Sequence, residues 1–236
     1  LHTAYRRQRQ MCIRDRYMQD AFNCPSTYGK LIRAGREVVG SKGLFITKKR
    51  YAIKIYDLEG NKVDKIKAMG LDLKRSDTPG YIQEFLSTVL DKVLVGAIEQ
   101  DVMDFIADFR LEFKKKPGWE KGSPRRVNKL TEYHSREKRK GKVNMPGHVR
   151  AAINWNTLKK VYNDKYSMDI IDGQKCIVCK LKDNPMGYTS IAYPTDELRI
   201  PEWFKEMPFA DDEMETTLIN KKLDNLIGVL LSLIHI

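Results

Sequence analysis

The sequence predicts an α+β protein: a small antiparallel hairpin near the front, then a mostly helical body that carries a second short β-hairpin. Three observations lead to this. Across residues 43–73, apolar and cationic side chains alternate with period two, as a half-buried strand requires. From Ile82 to Phe113 the apolar residues recur three and four apart, which places them on one face of a helix. Towards the end, two short apolar runs at about 174–181 and 188–193 flank Asn184-Pro185-Met186-Gly187, a hairpin-type connection.

In chain order, Leu44, Ile46, Tyr51, Ile53 and Ile55 form one side of the first strand pattern, with Lys48, Arg50 and Lys54 interleaved. Leu58-Glu59-Gly60-Asn61 is a turn signal, and Val63, Ile66, Met69 and Leu71 suggest the return strand. The result is a hairpin with one cationic face. Ser76-Asp77-Thr78-Pro79 is a helix start, with a capping oxygen and Pro at the first helical position, where its missing N–H costs little. Ile82, Phe85, Leu86, Val89, Leu90, Val93 and Leu94, then Ile98, Val102, Phe105, Ile106, Phe109 and Phe113, predict two helices or one bent near Gly96. These residues belong to a core and not to a cofactor box.

Residues 114–150 hold thirteen Lys or Arg against Glu120, Glu132 and Glu137 and show little apolar periodicity. Most of this stretch is predicted as solvated loop, ordered in part by a polyanion, with a ligand-free charged surface as the alternative. A further apolar-periodic segment follows, with Val149, Ala152, Ile153, Trp155, Leu158, Val161 and Tyr162.

A chain of 236 residues is long enough to bury a sizeable core. Its 42% hydrophobic content is ordinary for a globular protein, and no run of roughly 18 apolar residues predicts a membrane span. A soluble intracellular protein is expected. Lys and Arg outnumber Asp and Glu by 43 to 31, a net +12 that favours polyanions, nucleic acid first. Residues 196–224 invert the balance, with nine acidic against four basic side chains, and are expected to face away from the polyanion. The cysteines Cys12, Cys24, Cys176 and Cys179 are too scattered for a disulfide framework, so free thiols are expected. Cys176 and Cys179 have the spacing of half a zinc site, but no second pair follows. On a strand they point to opposite faces and read as core thiols.

Both ends differ from the rest. Met11-Cys12-Ile13-Arg14-Asp15-Arg16 and Ser232-Leu233-Ile234-His235-Ile236 resemble translated sequencing-adapter sequence, so 1–16 and 231–236 are read as artefactual segments and left out of fold reasoning. The alternative for 1–16 is a basic nucleic-acid arm.

Lys48-Lys49-Arg50-Tyr51-Ala52 resembles the Lys-Lys-Arg-Tyr region that follows the palm motifs of family B DNA polymerases. Tyr56-Asp57-Leu58-Glu59-Gly60, Met69-Gly70-Leu71 and Ser76-Asp77-Thr78-Pro79 then repeat, in order, the palm-to-thumb landmarks of the T-even-like phage members. Pro146-Gly147-His148-Val149-Arg150 with Asn156, Gly173-Gln174-Lys175, Asn184-Pro185-Met186-Gly187 and Ala192-Tyr193-Pro194 continue the resemblance, which covers about 17–229. It implies that 17–73 is the C-terminal part of a palm domain, its edge hairpin included, and that 74–230 is a thumb domain.

The resemblance further implies a DNA-directed DNA polymerase, a nucleotidyltransferase, as the parent protein, with primer-template duplex as partner. Lys48, Lys49, Arg50 and Tyr51 would meet the duplex near the primer terminus, Lys49 and Tyr51 from the minor-groove side. Arg75 would hold nearby backbone or minor-groove atoms. In the basic stretch Arg125, Arg126, Asn128 and Lys129 match a thumb segment that approaches DNA, and His148 and Arg150 belong to the Pro-Gly-His-Val-Arg landmark. A cationic strand beside an aromatic suits phosphate and minor-groove contact without sequence preference. Alternation alone equally permits Tyr51 to be a core aromatic of the sheet.

The departures bear on the chemistry. No Asp-x-x-Ser-Leu-Tyr-Pro, Lys-x-x-x-Asn-Ser-x-Tyr-Gly or Asp-Thr-Asp-Ser segment occurs, so the carboxylates that hold Mg²⁺ for phosphoryl transfer are missing. This chain alone is expected to be inactive and to hold no cofactor, with Mg²⁺ bound by the remainder of the polymerase. The short apolar-aromatic peptide that binds a sliding clamp is not present in the sequence either. The expected setting is host cytoplasm during phage infection. Two other classes remain open: a stand-alone basic nucleic-acid-binding module, and a structural protein whose basic loop meets other anionic partners.

Overall fold

The computed structural model describes residues 37–141 and 143–234, with side chains through 228, together with positions 17, 20 and 21. The expectations for 1–16, for Cys12 and Cys24 and for the side chains of 229–236 lie outside the described residues, as does most of 17–36. The chain divides into two compact units, Leu1–Met69 and Gly70–Ile236.

The first unit is a three-stranded antiparallel meander, β1 (Val38–Thr47), β2 (Arg50–Leu58) and β3 (Asn61–Met69), with β2 in the middle. The predicted hairpin is its β2–β3 half. An extra strand precedes it, because Val38–Gly43 carries no alternation and could be recognised as strand only by its pairing with β2. Register shifts near Gly40 and Phe45 break the strict two-residue period of β1. Ala52 and Ile55 on β2, three apart and so on opposite faces, are both buried, and Leu44 pairs with Ala52. Of the predicted apolar side, Leu44 and Ile55 are buried while Ile46, Tyr51 and Ile53 are half-buried, and Ala52 is buried besides them.

Two-residue loops close both turns. Glu59 and Gly60 have φ of 52° and 96°, the doubly left-handed geometry whose twist matches a hairpin. Gly60 N–H donates to Asp57 Oδ1 at 3.0 Å.

The second unit begins with a 3-10 turn at Asp72–Lys74 and the antiparallel helices α1 (Gly80–Val95) and α2 (Glu99–Lys115). The predicted break falls where expected. Gly96 ends α1 at φ 89°, a conformation that glycine adopts without Cβ strain. The predicted helix start moves by one residue: Pro79 is the N-cap, and no side-chain oxygen caps the helix. Gln83 Nε2 instead donates to the carbonyls of Arg75 and Thr78, both at 2.9 Å. Most of the periodic apolar residues pack as foreseen, with Phe85 stacked on Phe109 at 3.8 Å between ring centroids, but Ile98, the N-cap of α2, is 72% exposed and does not join the core.

The predicted loop at 114–150 is largely ordered secondary structure. It contains the end of α2, a 3-10 turn (Gly118–Lys121), β4 (Ser123–Arg126), α3 (Leu130–Lys140) and the start of α4 (Gly147–Val161). Distant partners supply what local periodicity lacks. Lys121, 3% exposed, is pinned by Asp211 at 2.9 Å. Asp172 accepts from the N–H groups of Leu130 and Thr131 and so satisfies the first turn of α3.

β4 joins β5 (Lys175–Lys180) and β6 (Ser190–Pro194) in a second antiparallel sheet, order β4-β5-β6. α4 packs on it, and Val149, Ala152, Ile153, Trp155 and Leu158 fill the main core with Phe204, Met207 and Phe209. Trp155 Nε1 donates to Met168 O at 2.9 Å, so the buried indole has its partner. Cys176 and Cys179 are both buried free thiols; burial pushes Cys176 up to about 12 and Cys179 upward as well. The chain closes with short helices α5 (Glu202–Lys205) and α6 (Asp211–Glu215), a π-helical turn at Thr216–Asn220, and α7 (Lys221–Ile234), which lies against α1.

Candidate nucleic-acid interface

In the first unit the cations gather at the β1–β2 corner. Lys48 and Lys49 form the two-residue loop itself, with Thr47 paired to Arg50 on either side. The prediction that both lie within a strand is thus corrected: only Arg50 and Tyr51 do. Lys49 has φ 65°, a left-handed conformation that a lysine holds at a cost. Both ammonium groups are exposed, whereas Arg50 and Tyr51 are half-buried. Tyr51 stacks on the exposed Phe45 with ring centroids 6.0 Å apart. A turn pushes its cations further from the sheet than a strand would, and an aromatic pair stands directly behind them.

In the second unit, β4, β5, the start of α4 and the segment before α1 enclose an open cleft of about 370 Å³. Its lining is Ser76, Asp77, Pro124, Arg125, Arg126, His148 and Lys175. Strand register sets up the cationic side, because β4 pairs with β5 so that Arg126 lies opposite Lys175 and Arg125 opposite Cys176. β4 is an edge strand, and both arginines are exposed. His148, second residue of α4, adds an imidazole. Burial first, then the Arg125 charge, holds His148 below its ordinary range.

One carboxylate stands among these cations. Asp77 accepts from Arg75 Nε and Nη2, each at 3.1 Å, and Arg125 Nη1 approaches it at 3.2 Å. Burial opposes the Asp77 charge, but the Arg75 hydrogen bond and the charges of Arg125, Arg75 and Lys222 outweigh it and hold the carboxyl below its usual range. Arg75 also reaches Asp72 at 3.4 Å.

The structure therefore brings Arg75, Arg125, Arg126 and His148 together and leaves other expected residues apart. Arg150 pairs with Glu137 and donates to Val143 O at 2.9 Å, outside the cleft lining. Asn128 and Lys129 lie on the exposed connection to α3, with Lys129 at φ 60° and 3.9 Å from Glu132. Sequence reasoning missed Ser76, Asp77 and Lys175 as cleft residues. Lys175 could have been found only through its pairing with Arg126, which no local pattern contains.

The cleft suits an oxyanion, since guanidinium forks fit phosphate oxygens and an imidazole N–H offers one further donor. Among the described residues no group of three or more His, Cys, Asp or Glu could hold a metal ion. The cleft's donors, a carboxylate among cations, do not fit the Mg²⁺ of phosphoryl transfer, which needs clustered carboxylates. Among the same residues no helix is long and apolar enough to cross a membrane.

No protein-family profile matches the chain. It is similar to the DNA-directed DNA polymerase of Enterobacteria phage T4, 26% identical over 180 residues, which covers 75% of this chain and 18% of that protein. It is also similar to the DNA-directed DNA polymerase of Escherichia phage RB69, 28% identical over 163 residues, or 66% of this chain and 18% of that protein. The chain thus matches less than a fifth of the length of these curated relatives.

Proposed function

We propose that the chain is the end of the palm and the thumb of a family B DNA-directed DNA polymerase of the T-even-like phage kind, and that it grips primer-template duplex. The observation that carries this is the convergence of Arg125, Arg126, His148 and Lys175 on one open cleft in a chain similar to two phage DNA polymerases. Phosphate contacts of this sort give affinity without sequence preference, as replication of any template requires. In this reading Mg²⁺ and the polymerising carboxylates belong to the remainder of the polymerase, and clamp attachment belongs to a peptide outside this chain. The cationic β1–β2 corner meets the duplex near the primer end.

The test is fluorescence anisotropy with a labelled primer-template duplex over a salt series. Binding that weakens steeply with salt is expected. Arg126→Ala should reduce affinity similarly on unrelated sequences and lower the salt slope by about one. Salt-independent binding, or a sequence-dependent loss, would defeat the proposal. An in-frame Asp-Thr-Asp-Ser segment upstream in the source DNA is expected, and its absence would count against polymerase ancestry.

A further inference from the structure

Among the described residues, Asp77 is the one acidic side chain lining a cleft that otherwise presents Arg125, Arg126, His148 and Lys175. Its carboxylate already does what a phosphodiester oxygen pair would do there, accepting two guanidinium nitrogens from Arg75 at 3.1 Å and standing 3.2 Å from Arg125. A carboxylate and a phosphate present similar oxygen pairs to an arginine fork, so the two anions compete for the same donors.

The two arginines are held unequally. Arg75 is bidentate on Asp77 and is also 3.4 Å from Asp72, whose carboxylate lies 3.9 Å from Lys222 of α7. Arg125 meets Asp77 through Nη1 alone, from an exposed edge strand; its side chain is 47% exposed and that of Arg75 61%, so what separates the two is the number of carboxylate contacts and not exposure. A half-exposed ion pair of this kind is weak, whereas a phosphate arriving with its counterions to shed binds with an entropic gain. Arg125 is therefore the partner that can be exchanged, while Arg75 stays with the carboxylates.

We propose that Asp77 is a built-in competitor for nucleic-acid phosphate, holding Arg125 when the cleft is empty and releasing it to a backbone phosphate when duplex binds. This rests on the reading that the chain binds DNA. It adds Asp77 as a brake on affinity, keeping the grip loose enough to release duplex. It also fixes the position of the bound phosphate, between Arg125, Arg126 and Lys175.

The experiment is a double-mutant cycle on the full chain, read by anisotropy with a primer-template duplex. Asp77→Asn keeps the side chain's size and removes its charge. It should tighten binding roughly three- to ten-fold and steepen the salt slope by about one. In an Arg125→Ala background the same substitution should change affinity little. Equal or weaker binding by Asp77→Asn overturns the proposal, and so does a gain that persists without Arg125, which would reflect general charge alone. If Asp77→Asn does not fold, NMR of the arginine side-chain N–H groups in the unsubstituted protein decides. Duplex should shift the Arg125 signal and leave Arg75 nearly in place; an unmoved Arg125 overturns the proposal. A chain that binds no duplex at any salt sinks the DNA-binding reading itself, an outcome distinct from DNA binding that is indifferent to Asp77.

Discussion

Lys222 donates a 2.9 Å hydrogen bond to Thr78 Oγ1 across 144 residues of chain. The ammonium is almost buried and lies 3.9 Å from Asp72. It ties α7 to the segment that precedes α1, at a threonine that is 2% exposed. Lys222→Met keeps the aliphatic stem and strands the hydroxyl. It should lower stability by about 1–2 kcal/mol, read from the urea unfolding midpoint. An unchanged midpoint would mean the bond contributes nothing.

Lys49 offers a separation of backbone strain from charge. At φ 65° a residue with a Cβ is disfavoured by about 1 kcal/mol, and glycine is not. Lys49→Gly should therefore be more stable than Lys49→Ala by about 1 kcal/mol in chemical denaturation. Both remove the same cation, so on the proposed DNA-binding reading both should weaken duplex affinity alike. Equal stability of the two variants would contradict the turn geometry.

Two glycines should respond in opposite directions to the same substitution. A Cβ on Gly118 would run into the Cβ and ring of Phe209, inside the main core, so Gly118→Ala should cost about 1–3 kcal/mol. A Cβ on Gly80, the first residue of α1, meets nothing within 4 Å. Gly80→Ala should raise stability by about 0.5–1 kcal/mol, chiefly by restricting the unfolded chain. Thermal unfolding of the pair checks both.

Asp164 sets an acid limit. Burial opposes its charge, but hydrogen bonds from Ser167 Oγ, Trp203 Nε1 and the N–H groups of Ser167 and Tyr166 prevail and lower it from 3.8 to about 2. A carboxyl with a depressed folded value stabilises fully above its unfolded value and loses that contribution as pH falls through the folded one. Stability should therefore drop between about pH 4 and pH 2, and Asp164→Asn should flatten that part of a urea-midpoint profile against pH. An unaltered acid limb would show that Asp164 is not its source.

The helices α1 and α2 could be read from sequence because every third or fourth residue from Ile82 to Phe113 turns to one apolar face. The Glu59-Gly60 turn was legible for an equally local reason, glycine's tolerance of positive φ. α3 was not: Leu130 is the one buried side chain over Leu130–Lys140, and much of the helix's support comes from Asp172 and from Arg150 on Glu137. β1 was missed at its start for the same kind of reason, since Val38–Gly43 is a strand only by virtue of β2 beside it.

Local period was enough to establish the α+β class, the helical pair and the second hairpin. Tertiary structure decided which cations meet. Arg126 faces Lys175 through strand register, Arg150 turns to Glu137 instead, and Asp77 enters the cleft between Arg75 and Arg125. The reason is physical. Periods of two and 3.6 describe how a segment buries its own face, whereas an ion pair depends on distances between segments that neither period contains.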